Sequence, residues 1–195
     1  MKIGATDTFL SLCWIIIFQM FSGFQNVSAQ DYASKFKTSG GSIGFAPARN
    51  HVHYDVLLLA ADFSRSFKKP QKKSFLTWYW QPQINLVKAA TTPENSIDYE
   101  FGINLGLRNY IKLSDNFYLY DMICSGPHFI SADVYRQARG FIFSDNLAFG
   151  SLIRIDKKNF LRIQAGLRHI SNGGFKEPNK GIDSFLFMVG LSRIK

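Results

Sequence analysis

A histidine, a serine and an aspartate near the end of the chain are of the types needed for ester hydrolysis by a serine nucleophile. His169 and Ser171 lie two residues apart, and Asp183 follows after a loop. A serine hydroxyl is a weak nucleophile until a base takes its proton, and histidine is the side chain that titrates near neutral pH. A carboxylate on the other ring nitrogen would fix the tautomer and stabilise the imidazolium. The three residues are therefore a candidate catalytic group.

The alternation of the surrounding residues predicts that all three side chains lie on one face of a sheet. An apolar series at odd positions runs through Leu167 and continues to His169 and Ser171. In the next run the apolar series extends back from Phe185 to Asp183. Successive strand residues face opposite sides, and residues i and i+2 share a face about 6.5 to 7 Å apart. Side chains can bridge that distance, at the neighbouring ends of two strands joined by one loop.

The segment after the serine offers hydrogen-bond donors. In "SNGG" the side chain of Asn172 and the backbone N–H groups of the turn, including that of Gly173, are candidates for an oxyanion hole. His51 and His53 flank a strand start and are not accompanied by a cysteine or a paired acid at metal-ligand spacing. The pattern predicts no metal and no cofactor.

The elements that must position these residues are long strands. In residues 97–107 every second residue is apolar, and the others are Asp, Glu, Gly or Asn. Such a period of two excludes an amphipathic helix, whose apolar positions repeat near 3.6. Turn-rich pieces such as "KKPQKK" and "DKKN" separate the runs. The sequence predicts eight strands, near residues 41–48, 52–64, 74–88, 96–111, 116–126, 140–156, 158–171 and 182–194.

Eight long strands fit either a soluble lipocalin-like barrel or an outer-membrane barrel. The polar faces are rich in Gly, Asn, Gln and Ser with scattered charge, which favours a polar lumen and an apolar face turned to lipid. Aromatic residues could form the interface belts, namely Trp78, Trp80, Tyr99, Tyr118 and Tyr120. The interpretation is an all-β, eight-stranded antiparallel transmembrane barrel whose interior side chains fill the lumen. With both chain ends periplasmic, the loop 172–181 is extracellular and the candidate site borders the outer leaflet, where a lipid can reach it.

The start of the chain reads as an export signal. Residues 9–21 are apolar, and Val27-Ser28-Ala29 is a small-residue cleavage pattern, which predicts a signal peptide over 1–29 and one barrel domain over 30–195. Cys124 is the one cysteine after the leader, so no intrachain disulfide is expected. The net charge of +9 suits an anionic partner. For an exported protein we expect anionic lipid and no nucleic acid.

At the candidate catalytic residues the sequence resembles the outer-membrane lipid A 3-O-deacylase family (PagL type), often labelled acyloxyacyl hydrolase-like. The matching segment is "RHISNGGFKEPNKGIDSF", and "CSGPHFIS" and "GFIFSDNLAFG" extend the similarity over about residues 115–195. The resemblance implies a serine esterase of the bacterial outer membrane. Its substrate would be lipid A of lipopolysaccharide, from which it removes the ester-linked acyl chain at position 3 without a metal.

Position by position, the resemblance implies a role for each residue. Ser171 matches the nucleophile and His169 the base. Asn172 and Asn179 match asparagines linked to oxyanion stabilisation or site support. Asp183 stands where the family pattern has glutamate. Because aspartate is one methylene shorter, this departure requires closer strand pairing or leaves a looser bond between the carboxylate and His169.

The sequence leaves open several alternatives for the roles of these residues. A His-x-Ser pair is a weak signal, so the polar residues could equally serve as rim polarity of a non-catalytic barrel that binds lipid or braces the membrane. Glu177 in the loop is a second, less favoured acid. His128 is expected at a rim or in a loop, and Arg168 is expected to point inward. The sequence leaves open a monomer or a homodimer.

Overall fold

The fold is an antiparallel β-barrel, seen in a computed structural model that describes residues 36–49, 52–70, 73–94 and 96–195. The predicted leader, residues 1–29, lies outside the described residues. No helix in the described part of the chain is long and apolar enough to cross a membrane. The strands are β1 (Lys37–Pro47), β2 (Tyr54–Ser66), β3 (Ser74–Ala89), β4 (Asp98–Lys112), β5 (Phe117–Ser125), β6 (Pro127–Ile130), β7 (Gly140–Arg154), β8 (Asn159–Ser171) and β9 (Ile182–Ile194).

The nine segments form eight staves of a closed barrel. Each stave pairs with its sequence neighbours, and β1 pairs with β9 to close the wall. β5 and β6 are two parts of one stave, because both pair with β4 and β7 in a register that continues across Gly126. A Cβ at Gly126 would lie 1.8 Å from the Ile103 carbonyl oxygen, so a side chain does not fit there. The predicted eight-stranded antiparallel barrel is confirmed.

Two of the predicted strands were shorter than those in the structure. The first strand begins at Lys37 instead of residue 41, because β2 and β9 supply partners on both sides of this glycine- and serine-rich segment. Inside the barrel, Thr38 and Ser64 also share a hydrogen bond of 2.7 Å. The fifth stave continues beyond residue 126 to Ile130, because β4 and β7 again flank it on both sides. In both places pairing with neighbours outweighs the local preference for turns.

The lumen is filled by side chains, among them two buried ionic clusters. In the first, Asp62 lies 2.9 Å from Nη2 of Arg108 and 2.8 Å from Nη1 of Arg162. The guanidinium of Arg108 also lies 4.4 Å from the ring centroid of Tyr79 and 4.9 Å from that of Tyr120. Opposite charges and ring faces thus compensate for the loss of hydration.

The second cluster lies behind the candidate site. Glu100 of β4 contacts Nη2 of Arg168 at 2.5 Å and Nδ1 of His128 at 2.6 Å. The inward orientation expected for Arg168 is confirmed. The expectation for His128 was wrong: this residue is buried in the lumen, because the stave that carries it continues past Gly126.

The outer surface of the barrel is apolar, as expected for a wall that faces lipid. Its exposed large side chains include Ile84, Leu105, Phe149 and Phe187. Of the predicted belt aromatics, Trp78 and Tyr99 are exposed. Tyr118 and Tyr120 were assigned wrongly, since both are buried inside the barrel. The apolar run of β5 does not reveal which of its two phases faces inward.

The two rims differ in loop length. The connections 67–73, 113–116 and 155–158, of four to seven residues, lie at the rim that carries both ends of the barrel. The two longest connections, 131–139 and 172–181, lie at the opposite rim. Short turns are periplasmic and long loops extracellular in outer-membrane barrels. The 172–181 loop and the strand ends beside it therefore face the exterior of the cell.

Candidate active site

The best-defined pair in the candidate site is His169 with Asp183. The two residues are direct neighbours in the register of β8 and β9, and Nδ1 of His169 lies 2.7 Å from Oδ1 of Asp183. Their side chains are 33% and 46% exposed, so the pair lies at the surface of the wall. Aspartate thus reaches the imidazole despite being shorter than the glutamate of the family pattern. Glu177 instead accepts a hydrogen bond of 3.1 Å from the backbone N–H of Asn179.

Ser171 lies on the same face as His169, at the last position of β8. It is paired with Phe143 of β7. Among the described residues, no hydrogen bond joins the Ser171 hydroxyl to His169. The contact with Asp183 occupies Nδ1 of the imidazole, and Nε2 has no hydrogen bond within the described part of the chain. Nε2 is therefore available to a serine hydroxyl.

Gly181 packs directly against the imidazole. A Cβ at this position would lie 2.5 Å from Cε1 and 3.0 Å from Nε2 of His169. The φ angle of Gly181 is +67°, in the left-handed region that favours glycine. Both features require glycine here, and the close approach of its backbone limits the movement of the ring.

The loop after Ser171 is held by its two asparagines. The Asn172 backbone N–H donates to Oδ1 of Asn179 at 2.8 Å, and its side-chain amide donates to the Lys176 carbonyl at 2.5 Å. Oδ1 of Asn172 accepts from the Gly174 N–H at 3.0 Å. Within the described residues, the Gly173 N–H and the side-chain nitrogen Nδ2 of Asn179 donate no hydrogen bond, so both remain available to a bound group.

A second loop, 131–139, clamps the first. Nε of Arg136 donates to the Gly181 carbonyl at 3.0 Å, and its Nη2 donates to the Lys180 carbonyl at 3.1 Å. The Lys180 N–H donates back to the Arg136 carbonyl at 2.8 Å. The Ala138 N–H donates to the Pro178 carbonyl at 2.9 Å. Sequence reasoning did not identify Arg136, because bonds to backbone atoms 44 and 45 residues away leave no local pattern.

Asp145 is a further acidic residue that sequence reasoning did not identify. It lies directly opposite His169 in the register of β7 and β8, on the side away from Asp183. The sequence did contain a sign of this residue, because Asp145 is an acid within the outward apolar series Phe141, Phe143, Leu147 and Phe149. The imidazole therefore has an acidic neighbour on each adjoining strand.

Apolar surfaces adjoin the site along the wall. The Phe141 ring lies 5.1 Å from that of Phe143 and 6.2 Å from that of Phe175. A groove of about 370 Å³ extends from Asp145 across β7, β5 and β4, and its apolar lining comprises Leu105, Leu107, Ile123 and Leu147. Among the described residues, no group of three or more His, Cys, Asp or Glu side chains is arranged to hold a metal ion.

The fold is that of a small β-barrel of the bacterial outer membrane. Comparison with known proteins identifies the family. The profile of the family described as "Lipid A 3-O-deacylase (PagL)" matches residues 56–192. The chain belongs to this family. It is therefore an ester hydrolase of the bacterial outer membrane, and its substrate is lipid A.

Solved structures agree on the fold. The crystal structure of the outer membrane enzyme PagL is 17% identical, with a TM-score of 0.61 over 77% of this chain and 97% of the other. Neisserial surface protein A is 9% identical, with a TM-score of 0.52 over 82% of this chain and 96% of the other. No curated protein matches the chain significantly.

Proposed function

We propose that Ser171, His169 and Asp183 carry out the removal of the 3-position acyl chain from lipid A. The observation that carries this proposal is the 2.7 Å contact between His169 and Asp183 on the lipid-facing side of the extracellular rim. A histidine held by a carboxylate and placed two residues from a serine on the same face is the arrangement of a nucleophile, a base and an orienting acid.

In the first half of the reaction, Nε2 of His169 takes the hydroxyl proton of Ser171, whose Oγ attacks the ester carbonyl carbon. The carbonyl electrons move to oxygen and form a tetrahedral oxyanion. Collapse of this intermediate breaks the bond to the 3-oxygen of lipid A, which receives the proton from His169. The products are an acyl-serine and a lipid A with a free 3-hydroxyl. Asp183 stabilises the imidazolium between the two proton transfers.

In the second half, His169 takes a proton from water, which attacks the carbonyl carbon of the acyl-serine. Collapse breaks the bond to Oγ of Ser171, which receives the proton from His169, and the fatty acid is released. The oxyanion of both halves needs donors. The Gly173 N–H and the side-chain Nδ2 of Asn179 are candidates for this role, because neither donates to another acceptor among the described residues. Asn172 supports the site by fixing the loop.

The substrate would lie along the outer wall. Lipid A has its sugar at the membrane surface and its acyl chains in the outer leaflet, and the site lies where the wall leaves that leaflet. The aromatic cluster of Phe141, Phe143 and Phe175 and the groove that begins at Asp145 offer apolar surface beside the serine. An acyl chain of lipid A bound there would take the place of membrane lipid that already covers this surface. Binding for reaction then requires only that the ester be aligned with Ser171.

Mass spectrometry of lipid A tests the proposal. Purified protein in detergent should release one hydroxyacyl chain, and Ser171→Ala and His169→Ala should abolish release. Ser151→Ala, an outward serine of β7 away from the site, and His53→Ala, an exposed loop histidine, are the matched controls and should retain it. A lack of release by a wild-type barrel that shows heat-modifiable gel mobility would favour the non-catalytic, lipid-binding alternative. Analytical ultracentrifugation of the same sample separates monomer from homodimer.

A further inference from the structure

The rim that carries the chain ends is strongly basic, whereas the site rim is balanced. At the chain-end rim, the turns, the two strand residues next to each turn and Lys195 contain nine described lysine or arginine residues and two aspartates. The same selection at the site rim contains six basic and six acidic residues. The positive charge of the described barrel is therefore concentrated on the side away from the site.

This charge is neutralised only in part within the described protein. Asp115 pairs with Lys112 at 2.5 Å. The carboxylate of Asp156 accepts from the backbone N–H groups of Lys158 and Asn159, both at 3.0 Å. No acidic side chain in the described residues pairs with Lys69, Lys73, Lys157 or Lys158, all of which are exposed. These ammonium groups are available to an external anion.

Each basic turn also presents a large apolar side chain. Phe67 is 44% exposed in the first turn, Leu113 is 54% exposed in the second and Ile155 is 59% exposed in the third. The outward Trp78 and Trp80 lie on β3 close to the same rim. Apolar groups beside lysines match a membrane interface, where the apolar part enters the acyl region and the ammonium remains among the headgroups. A soluble polyanion would provide no environment for the apolar groups.

We propose that this basic rim binds anionic phospholipid headgroups in the periplasmic leaflet of the outer membrane. The turns are distributed around the circumference of the barrel, which suits a shell of several lipids. A lysine near an anionic membrane surface contributes about 1 kcal/mol, and this corresponds to about a fivefold preference for an anionic over a zwitterionic lipid. The site rim, with equal numbers of both charges, has no such preference.

Tryptophan quenching measures this preference directly. Protein purified from outer membranes is reconstituted in vesicles containing brominated phosphatidylglycerol or brominated phosphatidylcholine, and Trp78 and Trp80 report the lipids that touch the chain-end half of the wall. Phosphatidylglycerol should associate about fivefold more strongly. Raising the salt concentration should reduce the ratio, because these charges are exposed.

Two sets of variants locate the effect. The quadruple change Lys69→Gln, Lys73→Gln, Lys157→Gln and Lys158→Gln should lower the ratio markedly, towards one. The matched control removes four charges at the site rim (Arg49→Gln, Arg139→Gln, Lys176→Gln, Lys180→Gln) and should leave the ratio unchanged. Heat-modifiable mobility checks folding in both sets.

Three outcomes would overturn the proposal. They are equal quenching by the two lipids in the wild type, a similar loss of preference in both variant sets, and binding of heparin at this rim without any lipid preference. The measurement does not depend on the esterase chemistry, so its result and that of the deacylation assay are independent.

Discussion

Replacing Asp183 by alanine is the sharpest test of the proposed chemistry. The aspartate makes one identified contribution to His169, the 2.7 Å contact between Oδ1 and Nδ1. Alanine removes that contact and leaves the strand register intact, because backbone hydrogen bonds hold β8 and β9 together. The imidazole would then lose both the group that selects its tautomer and the charge that stabilises its protonated form.

The size of the effect follows from the exposure of the pair. Loss of the acid from a buried triad costs about 10⁴-fold in kcat. Here the two side chains are 33% and 46% exposed, so water replaces part of the lost interaction. A hydrogen bond to a charged group contributes about 1.5–3 kcal/mol, which at about 1.4 kcal/mol per tenfold corresponds to about 10- to 150-fold in rate. Packing of Gly181 against the ring preserves part of its orientation, which also favours this lower range.

The assay is deacylation of lipid A in detergent, with kcat and KM determined separately. Asp183→Ala should lower kcat by about 10- to 150-fold with little change in KM, because the acid acts on the histidine rather than on the bound lipid. Asp183→Glu restores the carboxylate of the family pattern and should retain activity or increase it. Ser184→Ala, an inward neighbour on the same strand, is the control for strand stability. Wild-type kcat in Asp183→Ala would remove this residue from the mechanism.

Three further changes test other parts of the structure. Gly181→Ala places a methyl group against His169 at a positive φ and should reduce kcat by at least about tenfold in the same assay without loss of the folded gel mobility. Asp62→Ala leaves two buried arginines without their carboxylate and should lower the free energy of unfolding by about 3–5 kcal/mol in urea titrations in lipid vesicles; an unchanged midpoint would contradict the importance of the lumen cluster. Asp145→Ala removes an acid that forms no hydrogen bond with the imidazole among the described residues, so kcat should change by less than about threefold, and a larger loss would assign it a catalytic role.

The alternation of apolar residues was sufficient to predict the wall of the barrel and the face that carries the site. It worked because β8 and β9 have an unbroken outward series, which His169, Ser171 and Asp183 continue at the strand ends. The polar lumen was predictable for the same reason, since membrane barrels alternate lipid-facing and interior residues.

Pattern reasoning failed where both phases of a strand are apolar or where a contact spans distant loops. In β5 an apolar side chain occurs at almost every position, so Tyr118 and Tyr120 were assigned to the outside although they lie inside. His128 was placed at a rim because glycine and proline precede it, yet the neighbouring strands continue the sheet through that point. The clamp made by Arg136 depends on the folded positions of two loops, which no periodicity encodes.

Because neighbouring residues of a strand face opposite sides, the buried cluster in the lumen and the candidate site on the outer wall share one segment of β8. Arg168 points inward and pairs with Glu100 of β4, while its neighbour His169 points outward to Asp183. The lumen cluster thus fixes β8 from behind at the position where the imidazole projects outward to Asp183. Ser171 lies at the strand end, beside a loop held by Asn172 and Arg136, and no hydrogen bond joins it to His169 among the described residues. If Ser171 is the nucleophile, as we propose, the loop contacts rather than the wall should control how readily its hydroxyl reaches Nε2 of His169.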